Sequence, residues 1–159
     1  MVYFEFLDSI TDIYQQAFAS ADLSLCTKLP NSLNYIGNAA FSSTKPKFTE
    51  INAVKIDSSA FASMLVHSKI LIFGDRVEII GQSSFASYYP RIMGGLEDLE
   101  KVIIGKNIKE IGSNAFVPLN QDPEFATIKV IEINVAETTQ LGSRADWGLN
   151  DSVTINWIG

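Results

Sequence analysis

The sequence predicts a right-handed solenoid of short repeats with a parallel β-sheet on one side. The prediction depends on one motif, which recurs five times, and on the shortness of each copy, which cannot bury its own apolar residues. The motif is an Ile, three residues, a small residue and a Phe. Its copies are Ile13–Ala17–Phe18, Ile36–Ala40–Phe41, Ile56–Ala60–Phe61, Ile80–Ser84–Phe85 and Ile111–Ala115–Phe116. Stacked copies would bury the five Phe side chains as one column.

Each copy divides into a strand, a break and a turn. The segments 70–85 and 101–116 align without a gap, and 26–41 fits the same frame. A β-rich run comes first, and a Gly or a Pro ends it. A second apolar pair, three residues apart, then leads into a segment of turn, 3₁₀ or short helical structure. The glycines that follow the motif Ile supply either a positive φ or a close approach between coils, and they are Gly37, Gly81 and Gly112.

This repeat resembles the BspA-type leucine-rich repeat, over about residues 4–135. The match is most specific at Leu33–Phe41, Val77–Phe85 and Ile108–Phe116. The resemblance implies a leucine-rich-repeat solenoid, of α/β class with short parallel strands, and no catalytic residues. Proteins of this family are mostly bacterial surface and host-interaction proteins, and similar repeats occur in phage virion proteins. We expect about five repeats in residues 1–135 and a C-terminal cap of the same domain in residues 136–159.

The last segment is expected to close the solenoid. Trp147, Ile155 and Trp157 are the apolar residues that could cover the last coil. The Trp-Gly pair and the later Asn-Trp are similar to the closing segment of phage-borne repeat proteins. Exposure of Trp147 as a platform for a ligand is the alternative.

Composition argues against several classes of function. The 159 residues carry a net charge of −6, which disfavours binding to nucleic acid or to an anionic membrane. The single Cys26 and single His67 exclude an intramolecular disulfide and any metal site or catalytic motif that needs two such residues. The acidic residues Glu97, Asp98 and Glu100 are adjacent, as in a solvated turn. We therefore expect no enzyme, no cofactor, no metal and no membrane insertion.

Two surfaces are candidates for binding another protein. Strand alternation sends Ile70, Ile72, Ile103 and Val130 outward, where they would form an apolar patch. The alternative is that the phase is reversed or that a terminal segment covers this face. The second candidate is the insertion 86–100, for which the alternative is packing back on the solenoid. Its residues of the kinds enriched at interfaces are Tyr88, Tyr89, Arg91 and Met93.

These expectations lead to one functional prediction with two rivals. The chain is predicted to be a non-enzymatic binding or assembly module of a phage virion, in the tail, the baseplate or the host-recognition apparatus. Its partners would be virion proteins, copies of itself or a host-surface receptor, of protein or carbohydrate, and it would be oligomeric or part of an assembly. The virion is favoured because no secretory signal begins the sequence. A bacterial cell-surface or extracellular adhesin is the alternative, and a surface-glycan hydrolase is the third.

Overall fold

In a computed structural model, which describes residues 5–86, 99–117 and 127–159, successive coils pair through two parallel β-sheets. Sheet A joins β1 (Asp12–Ile13), β2 (Tyr35–Ile36), β4 (Lys55–Ile56), β6 (Ile79–Ile80) and β8 (Glu110–Ile111) in that order. Sheet B joins β3 (Glu50–Ile51), β5 (Ile70–Phe73), β7 (Lys101–Ile104), β9 (Val130–Ile133) and β10 (Thr154–Trp157). All pairs are parallel, as stacked coils require.

The second sheet differs from the prediction of a sheet on one side. Sheet A consists of the motif Ile and the residue before it, and each of its strands is two residues long. The Ile of every such strand pairs with the Ile of the next coil, for example Ile36 with Ile56. Because a two-residue strand is too short for alternation, only the stacking of coils reveals it. The four-residue strands β5, β7, β9 and β10 of sheet B are the longer ones.

Turns, rather than helices, surround each Phe. The residue two before each motif Phe has a positive φ, as in Ser59 (56°) and Asn114 (57°). Such a φ at the third residue of a four-residue turn is typical of a type II turn. The turns also pair between coils, since the Phe61 N–H donates to the Ser84 carbonyl at 2.8 Å and the Phe85 N–H to the Ala115 carbonyl at 2.9 Å. This turn segment is therefore a third ladder between coils, beside the two sheets.

The motif phenylalanines form a stacked column at the centre of the coils. The ring centroids of Phe41 and Phe61 lie 5.2 Å apart, and those of Phe61 and Phe85 lie 4.9 Å apart, with planes within 12° of parallel. Phe41, Phe61, Phe85 and Phe116 are buried, whereas Phe18 in the first coil is half-buried. The column confirms that these side chains form the core of the repeat.

Glycine after the motif Ile permits a close approach between coils. A Cβ on Gly81 would lie 2.6 Å from the Asp57 carbonyl carbon, and one on Gly112 would lie 2.4 Å from the Gln82 nitrogen. Neither glycine has a positive φ. Of the two roles predicted for these glycines, close approach is therefore the correct one.

The chain ends differently from the repeats that precede it. A 3₁₀ helix, Thr139–Leu141, lies against β8. The Trp147 carbonyl accepts a hydrogen bond from the Phe116 N–H, so this residue occupies the place of a further turn. The Trp147 side chain is completely buried and its Nε1 donates to the Leu141 carbonyl at 2.7 Å. Trp147 is thus part of the core and does not offer a platform to a ligand.

Candidate interaction surface

The outer face of sheet B carries the patch predicted from strand alternation. Along β5, Leu71 and Phe73 are buried, while Ile70 is 41% exposed and Ile72 is half-buried. β7 and β9 repeat this alternation, with Ile103 and Val130 among the half-buried outward residues. We call these outward side chains of sheet B the outer face. Its members are Glu50, Ile70, Ile72, Lys101, Ile103, Val130, Glu132, Thr154 and Asn156.

The strand register arranges the outer face in two rows. Ile72 pairs directly with Ile103, so these two side chains are neighbours. Lys101 stands between Ile70 and Val130 in the other row. The patch is therefore an Ile70–Ile72–Ile103 group with Val130 set apart, rather than four contiguous apolar residues. The rows read Ile70, Lys101, Val130, Thr154 and Glu50, Ile72, Ile103, Glu132, Asn156.

An ion pair crosses the outer face between its apolar side chains. Lys101 Nζ lies 2.7 Å from Glu132 Oε1, and both side chains are mostly shielded from solvent. This pair was not anticipated from the sequence, because it links diagonal positions of adjacent coils. Since each charge already has a partner, a protein docking on this face need not supply one.

A second charge cluster borders the same face. Glu100 lies between Lys69, at 3.2 Å, and Lys129, at 3.4 Å, one residue from each of three consecutive coils. Hydrogen bonds from Lys69 and then Lys129 hold the pKa of the Glu100 carboxyl below its usual value. A carboxylate held in its charged form between two lysines is unsuited to act as a general acid near neutral pH. Glu97 and Asp98 lie outside the described residues.

The second predicted surface, on the insertion 86–100, has its binding residues outside the described part of the chain. Tyr88, Tyr89, Arg91 and Met93 all lie outside the described residues. Their role in binding stays a prediction. The structure thus brings together one of the two predicted groups, the one on sheet B.

An unpredicted polar group lies on the outer side of sheet A. Tyr35 Oη donates to Asp57 Oδ2 at 2.6 Å, and Lys55 Nζ lies 5.8 Å from the centre of the Tyr35 ring. The hydrogen bond from Tyr35 lowers the pKa of Asp57, and the same bond raises the pKa of Tyr35. Tyr14 packs edge-on against Tyr35 and is 71% exposed. Comparison of equivalent positions in consecutive repeats could have placed Lys55 beside Tyr35, whereas Asp57 lies diagonally to Tyr35 and no sequence signal pointed to it.

The remaining candidates for chemistry are isolated. Cys26 is buried, and burial raises the pKa of its thiol, which disfavours the reactive thiolate. His67 lines a shallow depression beside Pro46 and Phe48. Within residues 5–86, 99–117 and 127–159, no group of three or more His, Cys, Asp or Glu side chains is placed to hold a metal ion. In the same residues, no helix has the length and apolarity needed to cross a bilayer.

Comparison with known proteins identifies the repeat. The model of the BspA type leucine rich repeat region matches residues 1–91 in six copies, which includes the first four motif copies described above. No curated protein matches the chain significantly. Leucine-rich repeats suggest a protein-binding module, are typically non-enzymatic, and in the BspA type are often associated with bacterial surfaces. With more than half of its length matched and its described strands all paired in parallel, the chain belongs to the BspA-type leucine-rich-repeat family.

Proposed function

We propose that the chain is a non-enzymatic binding and assembly module whose interface is the outer face of sheet B. The observation that carries this proposal is the group of Ile70, Ile72 and Ile103 on an outward face. Apolar groups with a charged border are typical of the centre of protein interfaces. The border here consists of the Lys69–Glu100–Lys129 cluster on one side and Glu50 on the other.

The partner is another protein chain within a phage virion, in the tail, the baseplate or the host-recognition apparatus. Support for this location comes from the closing segment around Trp147 and Trp157, which is similar to that of phage-borne repeat proteins. A bacterial cell-surface or extracellular adhesin is the second candidate, favoured by the surface association that is frequent in the family. An adhesin would bind its host receptor as a single chain, whereas a virion component would assemble with other copies or other virion proteins.

The organisation of the chain is part of the same proposal. Residues 1–135 hold about five repeats, and residues 136–159 act as the cap of that domain. The cap is supported by the buried Trp147 and by the hydrogen bond from Asn114 to the Asp146 carbonyl, at 2.7 Å. The insertion between the fourth and fifth motif copies is the second proposed recognition site, with Tyr88, Tyr89, Arg91 and Met93 as its binding residues.

Light scattering on the purified chain tests the interface. Ile72→Lys places a charge in the middle of the apolar group, and we expect it to lower the mass of the assembly while the chain stays folded. Ile79→Lys is the matched control, because Ile79 is a half-buried outward Ile of sheet A. Equal masses for the parent and Ile72→Lys would show that this face is no self-interface. Retention of binding to purified virion proteins by Ile72→Lys would then reject the outer face altogether and direct attention to the insertion 86–100.

A further inference from the structure

The three ladders between coils end in different ways at the C-terminal side. Sheet A ends where the 3₁₀ helix Thr139–Leu141 lies against β8, and the turn ladder ends on the carbonyls of Asp146 and Trp147. Sheet B instead gains a regular strand, β10, which pairs with β9. Among the strands of the described residues, none pairs with the other edge of β10.

Within the part of the chain that the structure describes, the backbone of β10 has polar groups without a strand partner at that edge. The Thr154 N–H donates to the Lys129 carbonyl and the Ile158 N–H to the Ile133 carbonyl, both at 2.9 Å. In a parallel ladder, alternate residues direct their N–H and C=O to opposite sides. The N–H and C=O groups of Ile155 and Trp157 therefore face the open edge. An open row of this kind is a template for another extended strand.

No side chain of β10 itself blocks such pairing, and the Arg144 guanidinium, which donates to the Val153 carbonyl at 2.8 Å, covers only the start of this edge. Residues 152–159 contain no charged side chain and no proline. Ile155 and Trp157 are half-buried in the same columns as Ile131 and Ile133 of β9, and Ile158 is 56% exposed.

The opposite edge of sheet B is protected. Its strand β3 is two residues long and carries the exposed Glu50. Pro46 and Lys47 precede it, and the Lys47 N–H already donates to the Cys26 carbonyl at 2.8 Å. Short strands, charges and proline are the features with which proteins prevent pairing at an edge. A second copy would therefore meet the open edge with its own β10 rather than with its β3.

We propose that β10 pairs antiparallel with β10 of a second copy, across a two-fold axis that passes between the two Asn156 residues. In this register Ile155 exchanges both backbone hydrogen bonds with Trp157 of the second copy, and Trp157 with Ile155. Asn156 lies opposite Asn156 of the second copy in the close, non-hydrogen-bonded position, with Cα atoms about 4.5 Å apart. The exposed Ile158 lies opposite Thr154 of the second copy. The two sheets B become one continuous sheet whose outer faces adjoin.

Charge substitutions at Asn156 test this axis in the Ile72→Lys background, where the outer-face interface is disabled. The Ile72→Lys chain is expected to be a dimer by light scattering. Addition of Asn156→Lys or of Asn156→Asp sets like charges opposite each other, which should weaken association at least about tenfold. An equimolar mixture of these two chains should restore the dimer. Gln140→Lys and Gln140→Asp, at an exposed amide outside β10, are the matched controls and should change nothing.

Amide hydrogen exchange on the parent chain tests the pairing of β10 without any substitution. The amides of Ile155 and Trp157 should exchange slowly at high protein concentration and faster on dilution, whereas those of Thr154 and Ile158 should not depend on concentration. The proposal is overturned if the Ile72→Lys chain is monomeric throughout, if it forms open-ended polymers, or if both charged variants stay dimeric. Since Ile72 and Asn156 lie on strands separated by two others, failure at either interface leaves the result at the other interpretable.

Discussion

The phenylalanine column and the outer face of sheet B are built by the same stacking of coils, yet they are conserved to different degrees between repeats of this chain. The column has the same residue in all five copies and is buried from Phe41 to Phe116. One row of the outer face instead carries three different residue types in five coils, and it reads Glu50, Ile72, Ile103, Glu132, Asn156. The coil geometry thus restricts the inward positions, and the outward positions are free to carry binding specificity.

Phe61→Ala should show the largest difference between these two regions. The Phe61 ring is fully buried between Phe41 and Phe85, so its loss leaves a cavity within the column. We expect the free energy of unfolding to fall by about 3–5 kcal/mol. Ile72→Ala, on the outer face, should cost less than about 1.5 kcal/mol in the monomer because its side chain is partly exposed. Urea unfolding measures both, and similar losses would contradict the contrast.

Gly81→Ala tests the distance between neighbouring coils, whereas Phe61→Ala tests the packing of side chains inside them. The new Cβ would lie 2.6 Å from the Asp57 carbonyl carbon, so the two coils would have to move apart. We expect a loss of about 1–3 kcal/mol, as in other overpacked sites. Gln82→Ala, at the exposed neighbouring position, is the control and should change stability by less than about 0.5 kcal/mol. A Gly81→Ala protein as stable as the parent would show that the coils can separate without cost.

The buried phenylalanine column could be predicted from the sequence because its residues recur at the same place in each repeat. The recurrence of Ile and Phe identified the core column, and alternation gave the outward direction of Ile70 and Ile72. Sheet A was missed because two-residue strands such as Tyr35–Ile36 carry no alternation. A positive φ was one of two roles predicted for the glycines after the motif Ile, and the structure places that φ at residues such as Ser59 instead.

The details of the outer surfaces depend on register between coils of unequal length. The ion pair of Lys101 with Glu132 joins residues on β7 and β9, with residues outside the repeat pattern in between. Similarly, Tyr35 and Asp57 belong to consecutive copies and meet only because those copies are stacked. A repeat motif specifies which residue points inward, but the alignment of neighbouring coils decides which outward residues touch.

Tyr35→Phe should show the smallest effect, and its dependence on pH identifies the interaction. Because the folded pKa of Asp57 is lowered, its contribution to stability is present above the unfolded value near 4 and is lost as pH falls through the folded pKa. Because the folded pKa of Tyr35 is raised, its contribution is complete below about pH 10 and is lost as pH rises through the folded pKa. Solvent screening of this half-buried pair limits the effect of Tyr35→Phe at pH 7 to less than about 1 kcal/mol.

The comparison with the control decides whether this effect belongs to the hydrogen bond. Urea unfolding of the parent and Tyr35→Phe should differ most at neutral pH, and the difference should shrink at both acid and alkaline extremes. Tyr14→Phe removes a hydroxyl from the exposed ring that packs on Tyr35, and it should show no such maximum. A loss for Tyr35→Phe that is constant with pH would assign the effect to ring packing. The outer side of sheet A would then resemble the phenylalanine column, in which packing rather than charge stabilises the stack.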